Sequence, residues 1–198
     1  MRGTGAIVLA AGGSRRFGAP KQLLEFEGAS LIRRAVGSAI GGGCDPVVVV
    51  VGAIRDQLIN ELRELRVEIA DNAHWEQGLG TSIRCGLRHL LGCGRAIDGV
   101  VLLACDQPLV DARCIGDLIA TAERSGKPIA ASRYAGTLGI PAFFGGDYFE
   151  RLQALADESG AKSLIASNAA DVAEIAFEGG AIDIDTPADF RSLSEESG

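Results

Sequence analysis

Several things are scarce or missing in this chain, and each absence removes a class of function. No stretch approaches the roughly twenty uninterrupted apolar residues that a membrane span needs, although 47% of the residues are hydrophobic. Basic residues do not dominate. The formal net charge is −7, and a polyphosphate backbone selects basic faces, so no nucleic-acid partner is expected. The five cysteines (Cys44, Cys85, Cys93, Cys105, Cys114) are odd in number and never spaced Cys-x-x-Cys. That argues for reduced thiols in a cytoplasmic protein rather than a disulfide frame or a zinc site. Only Arg2 precedes the first apolar run, with no cleavable segment after it, so no export signal is expected. His74 and His89 are separated and pair with no thiol motif, so both read as surface or core residues. No repeat or low-complexity linker divides the 198 residues, a length that buries a sizeable core as one domain.

What is present alternates regularly. Ala6–Leu9, Val47–Val51, Val67–Ala70, Gly99–Cys105, Pro128–Ser132 and Val172–Phe177 read as strands, and Val47–Val51 is an unbroken β-branched run of the kind covered on both faces. Between them lie helical patterns: from Ser30 to Ile40, along Ile54, Leu58, Leu62 and Leu65, along Ile83, Leu87, Leu90 and Leu91, and after Asp111. Gly139–Phe144 reads as a turn with a short aromatic strand, Tyr148–Ala156 and Ala161–Ala166 as short helices, and Thr186-Pro187 as the start of a last helix. The pattern predicts a single-domain, three-layer Rossmann-like α/β fold: a mostly parallel twisted sheet with helices on both faces.

Chemistry concentrates after the first strand, in Leu9-Ala10-Ala11-Gly12-Gly13-Ser14-Arg15-Arg16-Phe17-Gly18-Ala19-Pro20-Lys21. A strand that ends in small residues exposes backbone N–H groups, and small side chains let a phosphate approach them closely. Arg16 adds a planar cation and Lys21 a point charge. Neither the G-x-x-x-x-G-K-[ST] loop nor the G-x-G-x-x-G fingerprint is present. Asp106, at the end of the fourth strand, suits Mg²⁺ or caps a turn shaped by Pro108. Asp183 and Asp185 fall on one side of an extended segment, where two carboxylates need a cation or a helix start. Gly78-Leu79-Gly80-Thr81-Ser82 precedes a helix and offers free N–H groups and hydroxyls for an anion or a base edge, or caps the helix.

The first of these segments resembles the signature L-A-A-G-x-S-x-R-[MF]-G-x-x-K of nucleotidyltransferases that attach a nucleotide to a phosphorylated small molecule. Leu9, Ala10, Ala11, Gly12, Ser14, Arg16, Phe17, Gly18 and Lys21 occupy its fixed positions. Within that group the chain resembles the molybdenum cofactor cytidylyltransferases nearly end to end. The resemblance implies that Asp106 holds Mg²⁺, with Asp185 as second ligand and Asp183 as its rival. It implies a nucleotide-binding half over about 1–110 and an acceptor-binding half over about 111–198. Leu9 through Ser14 (Gly13 included), with Asn72, Gly78, Thr81 and Ser82, would contact the nucleotide, and the double alanine is similar to the cytidine-selecting form. Gly139 and Pro141 flank Ile140, where the family usually carries His, and Lys162 stands where it usually carries Arg. Both departures fall in the acceptor half.

The reaction so implied is attack by the phosphate of molybdenum-loaded molybdopterin on the α-phosphorus of CTP, with release of pyrophosphate. An already ionised nucleophile needs no general base, consistent with the lack of a catalytic His pattern. A molybdoenzyme or its chaperone is the implied recipient of the product, and the chain is expected to be a monomer. The competing expectations are a guanylyltransferase, a nucleotidyltransferase for a sugar or alcohol phosphate, and a non-catalytic nucleotide-binding chaperone module.

Overall fold

The computed structural model describes residues 3–14 and 17–196. In chain order the elements are β1 (Gly3–Leu9), β2 (Glu25–Phe26), β3 (Ala29–Ser30), α1 (Leu31–Gly41), β4 (Val47–Val51), α2 (Arg55–Leu62), β5 (Glu68–Asp71), α3 (Leu79–Gly92), β6 (Ile97–Ala104) and α4 (Ala112–Ser125). The remainder are β7 (Ile129–Tyr134), β8 (Thr137–Gly145), α5 (Phe149–Gln153), α6 (Ala161–Ser167), β9 (Val172–Ala176) and α7 (Pro187–Glu196). Seven strands form one sheet in the order β5-β4-β1-β6-β8-β7-β9, and β2 and β3 form a small separate hairpin. No helix of the described residues is long and apolar enough to cross a membrane.

Alternation along the central strands divides the core between the two faces of the sheet. Ile7, Leu9, Val48, Val50, Val100 and Leu102 pack with Ile83, Leu87 and Leu90 of α3 on one face. Ala6, Val8, Val47, Val49, Val51, Val101 and Leu103 pack with α1 and α2 on the other. The five valines of β4 are all buried, as a strand covered on both faces requires.

Helix starts follow the side chains that cap them. The Ser30 hydroxyl accepts from the Arg33 amide (3.3 Å) and Asp111 Oδ1 from the Cys114 amide (2.8 Å). At α7, Asp189 Oδ2 accepts from the amides of Asp185 (3.0 Å) and Thr186 (2.7 Å), while Thr186 Oγ1 accepts from the Asp189 amide (3.3 Å). This reciprocal box accounts for Asp189 as a helix-start residue.

One expectation changes. Residues 139–144 belong to β8, a strand of nine residues that runs antiparallel between β6 and β7. Ala135 and Gly136, both at positive φ (46° and 71°), turn the chain from β7 straight into it, as a tight hairpin demands. A turn made by Ala-Gly lacks the usual Asn-Gly or Asp-Gly signal, which is why the hairpin is hard to see in the sequence.

Candidate functional site

The carboxyl ends of β1 and β6 open onto a cavity of about 520 Å³ lined by residues 9–14, Lys21, Gln22, Trp75, Ser82, Asp106, Ile140 and Asp185 among others. A site beyond the carboxyl ends of parallel strands is where this architecture leaves helix starts and strand ends facing one another.

The floor is the small-residue turn. The Ala10 amide donates to the Val50 carbonyl (3.0 Å), and the Ala11 carbonyl accepts from the Ala53 amide (3.1 Å), so the turn begins pinned to β4. Beyond that, among the described residues, no backbone carbonyl takes the amides of Gly12, Gly13 or Ser14. Ser14 sits at φ 49°, a left-handed bend that brings successive amides toward one side. Arg16 lies outside the described residues.

Gln22 holds the turn open, and reading the sequence missed it. It is 2% exposed. Its Nε2 donates to the carbonyls of Ala10 (3.1 Å) and Gly12 (2.6 Å), and its Oε1 accepts from Ser14 Oγ (3.0 Å). Ser14 Oγ in turn accepts from the Lys21 amide (3.2 Å). A side-chain amide can satisfy donor and acceptor together, and the sequence signal was only a polar residue directly after Lys21.

The same cavity is lined by an ion cluster. Lys21 Nζ lies 2.6 Å from Asp106 Oδ2 and 3.0 Å from Asp185 Oδ1. Burial pulls the Lys21 pKa down, but the Asp106 and Asp185 carboxylates outweigh it and leave the ammonium above the ordinary lysine value. The two acids are 79 positions apart in the chain, yet the Ile184 amide donates to the Asp106 carbonyl (2.9 Å) and sets Asp185 beside Asp106. Ile184 is fully buried with Phe26, Leu31 and Leu193, which fixes that crossing. Asp183 carries a carboxyl pushed up to about 6, by burial first and then by the charges of Asp106 and Asp185. Of the two acids predicted from the late motif, Asp185 is the one that reaches Lys21. Both carboxylates thus converge on one cation-sized point, and hard oxygen donors of this kind are of the type that a divalent ion such as Mg²⁺ takes.

The third wall is the start of α3. The helix begins at Leu79 with Gly78 as its N-cap, one turn earlier than the sequence pattern implies. The Gly80 amide donates to the Asp157 carbonyl (2.8 Å) and the Thr81 amide to the Gly78 carbonyl (3.2 Å), so two first-turn donors are already taken. At Gly80 a Cβ would lie 2.1 Å from the Ala156 carbonyl oxygen, which only glycine avoids. Asn72 and Thr81 are buried behind the wall and do not line the cavity. Asn72 Nδ2 donates to Thr81 Oγ1 (2.9 Å) and Ser82 Oγ (3.0 Å), and its Oδ1 accepts from the His74 amide (3.0 Å). It therefore aims Ser82, which does line the cavity. Trp75 lines it too, packed over Gly13.

On the acceptor side the structure departs from expectation. Gly139 and Pro141 are buried within β8, and Ile140 between them is the residue that faces the cavity. A Cβ at Gly139 would lie 2.2 Å from the Tyr134 hydroxyl, which donates to the Ile140 carbonyl (2.9 Å). Gly139 thus makes room for a strut rather than for a ligand. Lys162 is exposed on α6 and does not line the cavity. Gln107, missed in the sequence, is 5% exposed and donates to the carbonyls of Ile140 (3.1 Å) and Gly180 (3.0 Å), bracing the same wall.

Known proteins resemble this chain in sequence and fold. The chain is 29% identical over 197 residues to purine catabolism protein PucB of Bacillus subtilis, covering 93% of this chain and 92% of that one. Its fold matches the crystal structure of Rv0371c from Mycobacterium tuberculosis H37Rv with a TM-score of 0.84 at 27% identity, over 98% of both chains. A structure of Rv0371c in complex with manganese matches with a TM-score of 0.80 at 26% identity, again over 98% of both. Residues 6–172 match the MobA-like NTP transferase domain, and the chain belongs to that nucleotidyltransferase family.

Proposed function

We propose that this protein transfers CMP from CTP to the phosphate of molybdenum-loaded molybdopterin, releasing pyrophosphate. The observation that carries the reading is Lys21 drawn between Asp106 and Asp185 in the same cavity that the small-residue turn lines. Phosphoryl-type transfers need positioning and charge stabilisation more than covalent help.

In this reading the amides of Ala11 to Ser14 hold the β- and γ-phosphates, and Gln22 keeps that cradle rigid. Lys21 and Arg16 offset charge on the α-phosphate and the departing pyrophosphate. An acceptor phosphate oxygen bonds to the α-phosphorus as the bond from that phosphorus to the β-bridging oxygen breaks. Ala10, Ala11 and Ser82 border the base, with Asn72 and Thr81 orienting Ser82. Asp106 and Asp185 would hold Mg²⁺, which would supply charge neutralisation for the phosphates. Lys21, paired with both acids, stands beside that position with its charge available to the phosphates.

Ile140 favours a second reading. An apolar side chain lines the wall where the resembling family carries His, which suits an acceptor that is less polar at that point, such as a different phosphorylated alcohol. Pyrophosphate release measured with CTP and with GTP, each with and without reduced molybdopterin, separates the readings. The proposal expects release with CTP that depends on both Mg²⁺ and the acceptor. Preference for GTP, or CTP binding with no metal-dependent release, overturns it.

A further inference from the structure

The opposite edge of the sheet, where the parallel strands begin, holds a second convergence of ligating atoms. Cys93 closes α3 and His89 stands in its last turn, four positions apart and so on one helical face. Glu68 opens β5 beside them. His89 Nε2 lies 3.6 Å from Glu68 Oε2, and ligating atoms of Glu68, His89 and Cys93 all lie within 4.8 Å of one another. We propose that Glu68, His89 and Cys93 bind a zinc ion, with water as the fourth ligand.

Bonds of about 2.0–2.3 Å to a tetrahedral zinc set neighbouring ligand atoms about 3.3–3.8 Å apart. The His89–Glu68 pair already has that separation, and the Cys93 thiol, within 4.8 Å of both, has at most about 1 Å to close. At present Cys93 Sγ rests on the His89 carbonyl (3.3 Å). As the zinc–sulfur bond forms, the thiol proton leaves to solvent, so that a thiolate and a carboxylate balance the ion's two charges. Thiolate with imidazole selects zinc over magnesium or calcium. The carboxyl end of α3 adds the negative end of the helix dipole, a field that favours a cation. Glu68 and Cys93 also line a cavity of about 550 Å³, which gives the fourth position room for water. Such an ion would tie the edge strand β5 to the far end of the helix whose first turn walls the nucleotide cavity.

Reading the sequence set His89 apart from any thiol and argued against a zinc site, because a ligand set drawn from a helix end and a neighbouring strand leaves no Cys-x-x-Cys trace. Cobalt is the probe, titrated with excess Mg²⁺ present so that the aspartate pair is filled. The expected result is one Co²⁺ per chain with a near-ultraviolet thiolate-to-cobalt charge-transfer band and tetrahedral visible bands, both displaced by Zn²⁺. Cys93→Ser should abolish the charge-transfer band. Glu68→Gln should keep it but weaken binding by at least about 10-fold, the lower bound for losing even an outer-shell partner. Cys85→Ser should leave it unchanged. A wild-type protein without the band, a band that survives Cys93→Ser, or one lost in Cys85→Ser overturns the assignment.

Discussion

Replacing Lys21 with methionine keeps the aliphatic stem and removes the ammonium, and it should move two measurable quantities in opposite directions. Nζ sits 2.6 Å from Asp106 and 3.0 Å from Asp185, with side-chain exposures of 15% for Lys21, 25% for Asp106 and 38% for Asp185. The cluster therefore lies between an exposed pair, worth about 0–1 kcal/mol, and a buried pair, whose one-sided loss costs about 3–5 kcal/mol; ~1–2 kcal/mol is the expected value. That energy opposes any divalent ion approaching the two carboxylates, because the ion must displace the ammonium. Without nucleotide, Lys21→Met should bind Mn²⁺ about 5–30-fold more tightly than wild type, the factor that ~1–2 kcal/mol represents. Turnover should fall on the order of 10²-fold or more, as for other preorganised charges aimed at a transition state. Electron paramagnetic resonance of free Mn²⁺ gives the affinity, and pyrophosphate release gives the rate. Unchanged or weaker Mn²⁺ binding would refute the idea that Lys21 holds the cation's place. Undiminished turnover would refute its role at the phosphates.

Two further outcomes test the frame around the site. Gln22→Leu fills a similar volume but leaves the Ala10 and Gly12 carbonyls without their shared donor; it should cost about 1–3 kcal/mol in urea unfolding and raise KM for the nucleotide, since the buried Ala10 carbonyl left unpaired carries a cost of that size while the Gly12 carbonyl can turn to water. A Gln22→Leu protein with wild-type stability would show that the clamp does not hold the turn. Burial pushes the Cys44 and Cys114 thiols up to about 12, so near pH 8 only about 10⁻⁴ of each is the reactive thiolate. Mass spectrometry after iodoacetamide on metal-free protein should find Cys85 and Cys93 modified and Cys44 and Cys114 intact until urea opens the fold; early labelling of Cys44 would contradict its burial.

Much of the fold could be read from the chain because its signals are local. The five valines of β4, the Ser30 and Asp111 caps and the Thr186 helix start act within a few residues, and each appears where its pattern implies. The small-residue turn and Lys21 were legible for the same reason: both the amides and the charge lie within one short segment. Where pairing was non-local, local pattern failed. Nothing in the order of residues marks β8 as antiparallel, since register and direction depend on which strand edges are left to pair.

The sequence by itself determined the alternating elements, the division of the core between two faces, and the small-residue turn after β1, because periodicity and small residues express themselves without distant partners. Only the tertiary structure decided which acid meets Lys21, since that rests on the Ile184 amide reaching the Asp106 carbonyl. It alone turned Ile140, rather than Gly139 or Pro141, toward the cavity, and it alone brought Glu68 to His89 and Cys93. Side-chain direction and cross-chain proximity are set by packing between elements, and packing has no period that a linear pattern can carry.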